Sequence, residues 1–271
     1  YRYPFVRRFP FATVLTDFGC PFKCDFCAIN RLGWKKRSVE NVLAELDYVK
    51  SLGFKDVYFD DQTFAADKKR TVELLEAMIE RDYGLGFICF TRADVVGRDM
   101  LKLMRRAGCH TVVFGVEAVG DEALKCAKKE MTLEIVREAI GWCRLLGIRT
   151  VGTFIVGLPG MTAEEAAGVG DFAVSLGLDF ASFNVPAPRP GTGLRKQALD
   201  EGWIDDELTE MDQSGSFAVM GNEYMTAAEV ENYRNEASKK FYFRFGYIFR
   251  RLTGIRTWYE FKSHFQEGLD L

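Results

Sequence analysis

The chain has 271 residues, 48% of them hydrophobic and 28% charged, which excludes a disordered polymer and supplies core for one large domain or two modest ones. A formal net charge of −3 lacks the basic surplus of a dedicated nucleic-acid binder, and no apolar run reaches the length of a membrane span. Seven cysteines, an odd number with Cys89, Cys109, Cys126 and Cys143 widely scattered, do not make a secreted disulfide framework; a reducing cytoplasm is expected, where crowded thiols serve metal or redox chemistry.

The chain opens on Tyr1 with no secretory signal pattern, and its arginine-containing residues 1–10 read as a linker from a domain upstream. Phe11 to Thr16 is apolar and predicts a strand running into a cysteine-rich loop. Ser38 caps a predicted helix through Leu52, with Val39, Val42, Leu43, Leu46 and Val49 at helical spacing and Gly53 as its stop. A strand over Asp56–Asp61 follows, then a charged helix from Lys68 to about Arg81 with Val72, Leu75 and Ile79 on one face. Gly86–Arg92 predicts a strand and Asp99–Ala107 a short helix stopped by Gly108. Thr111–Glu117 is the next strand, and Thr132 caps a helix carrying Ile135, Val136, Ala139, Ile140 and Cys143. Arg149–Gly157 is a strand, Thr162 with Glu165 forms a capping box, and Asp179–Val185 is the sixth strand. Beyond Leu194 the alternation stops, and residues 195–271 read as mostly helical, with a loop around Asp212–Met225.

Six strands alternating with helices, without strict in–out alternation, describe a parallel sheet buried on both faces. Periodicity alone leaves open whether the sheet is doubly wound or curled into a barrel. No GxGxxG follows the first strand, which removes the main signal for a dinucleotide fold. In either architecture ligands bind at the carboxyl ends of the strands. That is where the unusual residues fall: the cysteine loop, Asp60 and Asp61, Arg92, Glu117, Gly157–Gly160 and Pro186–Thr192.

The loop reads GCPFKCDFC, placing Cys20, Cys24 and Cys27 at C-x3-C-x2-C spacing. A structural zinc site wants four ligands, normally from paired motifs; there is no second CxxC, and His110 and His264 are distant in sequence. Three thiolates on a cubane cluster leave one iron without a protein ligand, open to a small molecule.

This loop, with Phe26 directly before its last cysteine, resembles the signature of the radical S-adenosylmethionine superfamily. The resemblance covers about residues 11–193. It implies a partial, six-unit parallel β/α (TIM-like) barrel, followed by a helical extension over 194–271. It also implies a 4Fe–4S cluster on Cys20, Cys24 and Cys27, and S-adenosylmethionine chelated to the fourth iron and cleaved to a 5′-deoxyadenosyl radical. FDDQTF stands where relatives carry a Gly-Gly-Glu stretch, so Asp60 and Asp61 are candidates for the ligand's ammonium end. FGVEAVG resembles the stretch that contacts S-adenosylmethionine and brings in Glu117; Arg92 suits a carboxylate. FIVGLPG resembles the fifth strand near adenine, with Ile155 and Gly157 as contacts.

YFDDQTF, GLPGMT and PAPRPGT together resemble the cobalamin-dependent subgroup, with cobalamin carried by a domain preceding this chain. The expected reaction is methyl transfer or carbon-skeleton modification at an unactivated carbon. The alternatives are a cobalamin-independent radical enzyme and a metal-stabilised binding module without turnover. A small-molecule or lipid-like substrate and an electron donor such as flavodoxin or ferredoxin are implied. FYFRFGYIFRRL (Phe241–Leu252) reads as a helix closing the barrel's open side, or as a wall for a lipid-like substrate at a membrane surface.

Overall fold

A computed structural model describes residues 6–205 and 217–254. The chain runs β1 (Phe11–Val14), β2 (Asp17–Gly19), β3 (Trp34–Lys36), α1 (Val39–Ser51), β4 (Asp56–Phe59), α2 (Lys68–Glu80), β5 (Gly86–Thr91) and α3 (Arg98–Arg106). It continues β6 (Cys109–Glu117), α4 (Asp121–Cys126), α5 (Leu133–Leu145), β7 (Arg149–Ile155), α6 (Ala163–Ser175), β8 (Phe180–Asn184), α7 (Gly193–Asp200), α8 (Ala227–Tyr242) and α9 (Phe245–Gly254). Six strands pair in parallel in the order β1-β4-β5-β6-β7-β8. The order never reverses, so consecutive βα units step in one direction, as in a barrel, and β1 and β8 remain as edges.

All six expected strands form. Five end one or two residues before their predicted limit, at Val14, Phe59, Thr91, Ile155 and Asn184. Beyond these ends the chain leaves the sheet, and of the residues there Arg92 and Val185 reach the cavity at the carboxyl ends of the strands. Helix starts follow their caps: the side chains of Ser38, Thr132 and Thr162 accept from the backbone N–H three residues on, and Thr162 with Glu165 forms the full capping box.

Three features depart from the sequence reading. The buried face of α2 is Thr71, Leu74, Leu75 and Met78, not the Val72–Ile79 stripe, because Thr71 and Met78 turn the apolar arc by about one residue. Helix α4 was not anticipated; it is six residues long and holds only Ala123 and Leu124 in the core, too short for a periodic signal. The antiparallel pair β2–β3 was also missed: it joins Asp17–Gly19 to Trp34–Lys36 across the intervening cysteine loop, with no tight turn to announce it.

The expected closing helix over residues 241–252 is divided between α8, ending at Tyr242, and α9, starting at Phe245. Helix α8 packs chiefly against α6 and also covers the edge of β8. The Tyr242 hydroxyl accepts from the Ala181 N–H (3.1 Å) and donates to the Ala181 carbonyl (2.5 Å), while Arg234 Nε donates to the Phe183 carbonyl (2.9 Å). These bonds replace the ladder a seventh strand would have made. Tyr242→Phe is expected to lower stability by about 1–2 kcal/mol, because both Ala181 backbone groups lose their partner in a half-buried setting; a thermal melt unchanged from wild type would contradict this role. Among the described residues, no helix is long and apolar enough to cross a membrane.

Candidate functional site

The carboxyl ends of the strands and the cysteine loop enclose a cavity of about 390 Å³. Cys20, Cys24 and Cys27 all line it, with Phe22 and Phe26 of the same loop. From the strand ends come Gln62 and Thr63 after β4, Arg92 after β5, Glu117 at the end of β6 and Ile155 at the end of β7. Pro186, Ala187 and Arg189 enter after β8. The loop spans this space because both flanks are tied: Asp25 donates its N–H to the Ala127 carbonyl (2.9 Å) and its carbonyl accepts from the Leu194 N–H (3.2 Å). Lys128 Nζ binds the Asp25 carboxylate at 2.7 Å. Gly193 leaves the room: a Cβ there would stand 2.3 Å from Asp25 Oδ1.

Asp60 and Asp61 do not line the cavity. Asp61 is buried and its carboxylate accepts from Thr16 N–H (2.6 Å), Thr16 Oγ1 (2.7 Å) and Asp17 N–H (3.2 Å), so it fixes the chain as it leaves β1 for the loop. Asp60 is exposed and holds the chain through its N–H to the Val14 carbonyl. The next two residues, Gln62 and Thr63, face the cavity instead, and Thr63 Oγ1 lies 3.5 Å from Cys20 Sγ. The chain turns after Asp61, and this turn carries Gln62 and Thr63 to the wall.

Beneath the loop, Arg70 of α2 gathers these groups, donating to the Thr16 and Arg37 carbonyls and pairing with Asp17 Oδ2 at 3.2 Å. Burial, reinforced by the Asp61 charge, raises Asp17 from 3.8 to about 6. The folded chain therefore holds a proton between about pH 4 and 6 that the unfolded chain releases, and this group's contribution to stability falls as pH rises through that window. Asp17→Asn is expected to remove that fall. Melting temperature against pH for both proteins checks it; parallel profiles between pH 4 and 6 would count against the assignment.

Two buried cations flank Cys24. Arg92 is 4% exposed, clamped bidentately by Asp94 (2.9 and 2.7 Å) and stacked 4.1 Å over the Phe22 ring. Its Nη1 lies 3.5 Å from Cys24 Sγ. Lys129, after α4, places Nζ 2.6 Å from Glu117 Oε1, with both residues buried. A β-bulge aims Glu117 here: Gly115 pairs with Thr153 and Glu117 with Phe154, leaving Val116 extra, and Glu117 takes a left-handed φ of 71°. Gly115 is required, since a Cβ would meet Glu117 Oε1 at 2.3 Å and Lys129 Nζ at 2.8 Å. Burial raises the Cys24 pKa above that of an ordinary thiol, and the charges of Lys129 and Arg92 act against that rise.

Lys129 escaped the sequence reading. In CAKKEM it resembles any surface lysine of a charged run, and only the fold buries it. Gly157 is placed away from the cavity: its N–H donates to Met161 Sδ, and a Cβ would strike Val230 Cγ2 at 2.6 Å, so this glycine serves the approach of α8. Ile155, two residues earlier, does line the cavity.

The donor set fits a cluster better than a single ion. Among the described residues no three His, Cys, Asp or Glu side chains converge on one point as a single metal ion requires. A cubane offers each thiolate its own iron, so thiols spaced along a cavity wall suit it, and Arg92 and Lys129 offset the charge they bring.

Comparison with known proteins agrees. Residues 15–173 match the family model of the radical SAM superfamily. An uncharacterized methyltransferase of Pyrococcus horikoshii is 30% identical over 243 residues, covering 87% of this chain and 52% of that protein. The anaerobic magnesium-protoporphyrin IX monomethyl ester cyclase of Rubrivivax gelatinosus is 31% identical over 194 residues, 69% of this chain and 35% of the relative. Among solved structures, the radical S-adenosylmethionine methyltransferase TsrM from Kitasatospora setae, with cobalamin and a 4Fe–4S cluster bound, superposes with a TM-score of 0.67 at 20% identity, over 85% of this chain and 46% of that one. The chain thus spans about half or less of the length of these proteins. With its thiols, its strand order and its matched residues, the chain belongs to the radical SAM superfamily.

Proposed function

We propose that this chain is the S-adenosylmethionine-cleaving part of a cobalamin-dependent radical enzyme that methylates, or otherwise remodels, an unactivated carbon of a small-molecule substrate. The observation that carries the reading is one cavity shared by Cys20, Cys24 and Cys27 beside two buried cations. The methyltransferase and cyclase relatives and the cobalamin-bound fold neighbour support the reaction type. Cys20, Cys24 and Cys27 would hold a 4Fe–4S cluster, which would supply the single electron for cleavage of the sulfonium, and cobalamin held by a further domain would supply the methyl group.

The chain's own residues do the rest. Cys20, Cys24 and Cys27 are the ligands. Arg92, fixed by Asp94 and Phe22, presents a cation beside Cys24 for a carboxylate, and Glu117 offers acceptors for hydroxyl or ammonium groups. Phe22, Phe26, Phe90 and Ile155 wall the cavity with carbon and keep water from a reactive centre. Residues 1–10 act as the linker to a cobalamin domain, and residues 11–193 as the catalytic barrel. A flavodoxin or ferredoxin is the electron donor in this reading.

Product analysis tests it. The full-length protein, reconstituted anaerobically with iron, sulfide and cobalamin, is expected to release 5′-deoxyadenosine from S-adenosylmethionine under reduction. S-adenosylhomocysteine as a second, cobalamin-dependent product marks methyl transfer. Its absence with substrate present would exclude methyl transfer, turnover undiminished without cobalamin would assign the cobalamin-independent type, and no 5′-deoxyadenosine at all would remove the radical reading.

A further inference from the structure

Four charged side chains line the cavity: Arg92, Glu117, Lys129 and Arg189. Three of them are matched within the protein, Arg92 by Asp94 and Lys129 by Glu117. Arg189 is different. Among the described residues no carboxylate pairs with its guanidinium, which donates no hydrogen bond.

Its backbone is nevertheless firmly held. The Arg189 N–H donates to the Ala187 carbonyl (2.8 Å), and its carbonyl accepts from Thr192 N–H (3.1 Å) and Thr192 Oγ1 (2.7 Å). Pro188 and Pro190 restrict the turn on either side. A half-buried guanidinium is thus carried into the cavity on a rigid turn with its five donors unused. Each of the other two cations forms a neutral pair with its own carboxylate, so Arg189 leaves this part of the wall with one net positive charge.

Arg189 follows β8, while the thiols sit on the loop between β2 and β3, and the two segments meet a few residues beyond Arg189, where Leu194 N–H donates to the Asp25 carbonyl (3.2 Å). The cations acting most strongly on Cys24 are Lys129 and Arg92. A guanidinium binds carboxylate or phosphate oxygens bidentately, and it does so best where water is partly excluded.

We propose that Arg189 binds an anionic group of the substrate, a carboxylate or a phosphate, at the β8 end of the cavity. This rests on the enzymatic reading above and narrows its substrate class. The rival source of the same chemistry is the carboxylate of S-adenosylmethionine itself.

The test uses the full-length, cluster-reconstituted protein saturated with S-adenosylmethionine. Inorganic phosphate and acetate are titrated separately by calorimetry into wild type, Arg189→Gln, Arg189→Met and Arg189→Lys. Saturable binding of at least one anion is expected in wild type, and the tighter of the two names the group. Loss of a charge-assisted contact should weaken it about ten- to a hundredfold in the Gln and Met proteins, with Lys between. Affinity for S-adenosylmethionine should stay within about twofold of wild type. Three outcomes overturn the proposal: no saturable anion binding in wild type, equal binding in the neutral variants, or a large loss of S-adenosylmethionine affinity in them, which would give Arg189 to the cosubstrate. Near-UV circular dichroism checks that each variant is folded, and two neutral side chains of different shape keep the comparison available if one packs poorly. Failure of the underlying reading is separately visible, because wild type would then not bind S-adenosylmethionine.

Discussion

Cys24→Ala is expected to leave a folded protein that neither retains its iron nor cleaves S-adenosylmethionine. The fold should survive because Cys24 is only half-buried and belongs to a loop held by other bonds, those of Asp25 to Ala127 and Leu194 and those of Asp61 to Thr16 and Asp17. The change removes one small side chain outside the main core, at a cost of about 1 kcal/mol for such sites. The effect on the site is of another order. Loss of an outer-shell partner costs a metal site about 10–100-fold, and removal of one of three direct ligands must cost more. Iron analysis after anaerobic desalting, set beside the melting temperature, separates the two effects. Full iron retention in the Cys24→Ala protein would remove Cys24 from the ligand set.

The second large effect concerns Lys129. Replacing it by Met leaves the Glu117 carboxylate buried without its cation, on a backbone already held at φ 71° by the bulge in β6. Breaking a buried pair from one side costs about 3–5 kcal/mol, far more than the pair itself contributes. Lys129→Met should therefore melt well below wild type. Adding Glu117→Gln should recover much of that loss, because no uncompensated charge then remains. On the role proposed for Glu117, it should not recover S-adenosylmethionine binding. Recovery of both properties would make the pair purely structural. Gly115→Ala approaches the same pair from the backbone, with a Cβ only 2.3 Å from Glu117 Oε1, and should perturb it in the same direction.

The contrast between Lys129 and the cysteines states what the sequence can carry. The thiols are legible because their spacing is local: nine residues hold three cysteines, and a strand delivers them. The six parallel strands are legible for a similar reason, since each is an apolar run bounded by a cap or a glycine. Asp61 is the opposite case. Its two-acid context suggested an ammonium contact, but a shift of one or two residues decides between cavity and core, and the carboxylate turned inward to Thr16 while Gln62 and Thr63 took the wall. Gly157 has the same lesson, since its freedom is used for Val230 of a helix 73 residues on in the chain, about which local sequence says nothing. Lys129 and Arg189 become visible only when the partners of each cation can be counted in space.

Those partners also explain why the site tolerates its composition. Three thiols, a carboxylate and three cations in a cavity of about 390 Å³ would be costly if each stood alone. The protein pairs two cations with carboxylates, uses a bulge and Gly115 to make one pair fit, and sets Arg92 against an aromatic face. The loop that brings the thiols is itself anchored on buried Asp61 and half-buried Arg70, so the thiols are held from behind by groups that do not touch the cavity.

The central claim is that S-adenosylmethionine engages a cluster held by Cys20, Cys24 and Cys27. Electron paramagnetic resonance of the anaerobically reconstituted, reduced full-length protein, recorded with and without S-adenosylmethionine, tests it most directly. The account requires a reduced 4Fe–4S signal whose g-values shift when S-adenosylmethionine is added. A cluster signal indifferent to S-adenosylmethionine, or no cluster in well-folded protein, would contradict it.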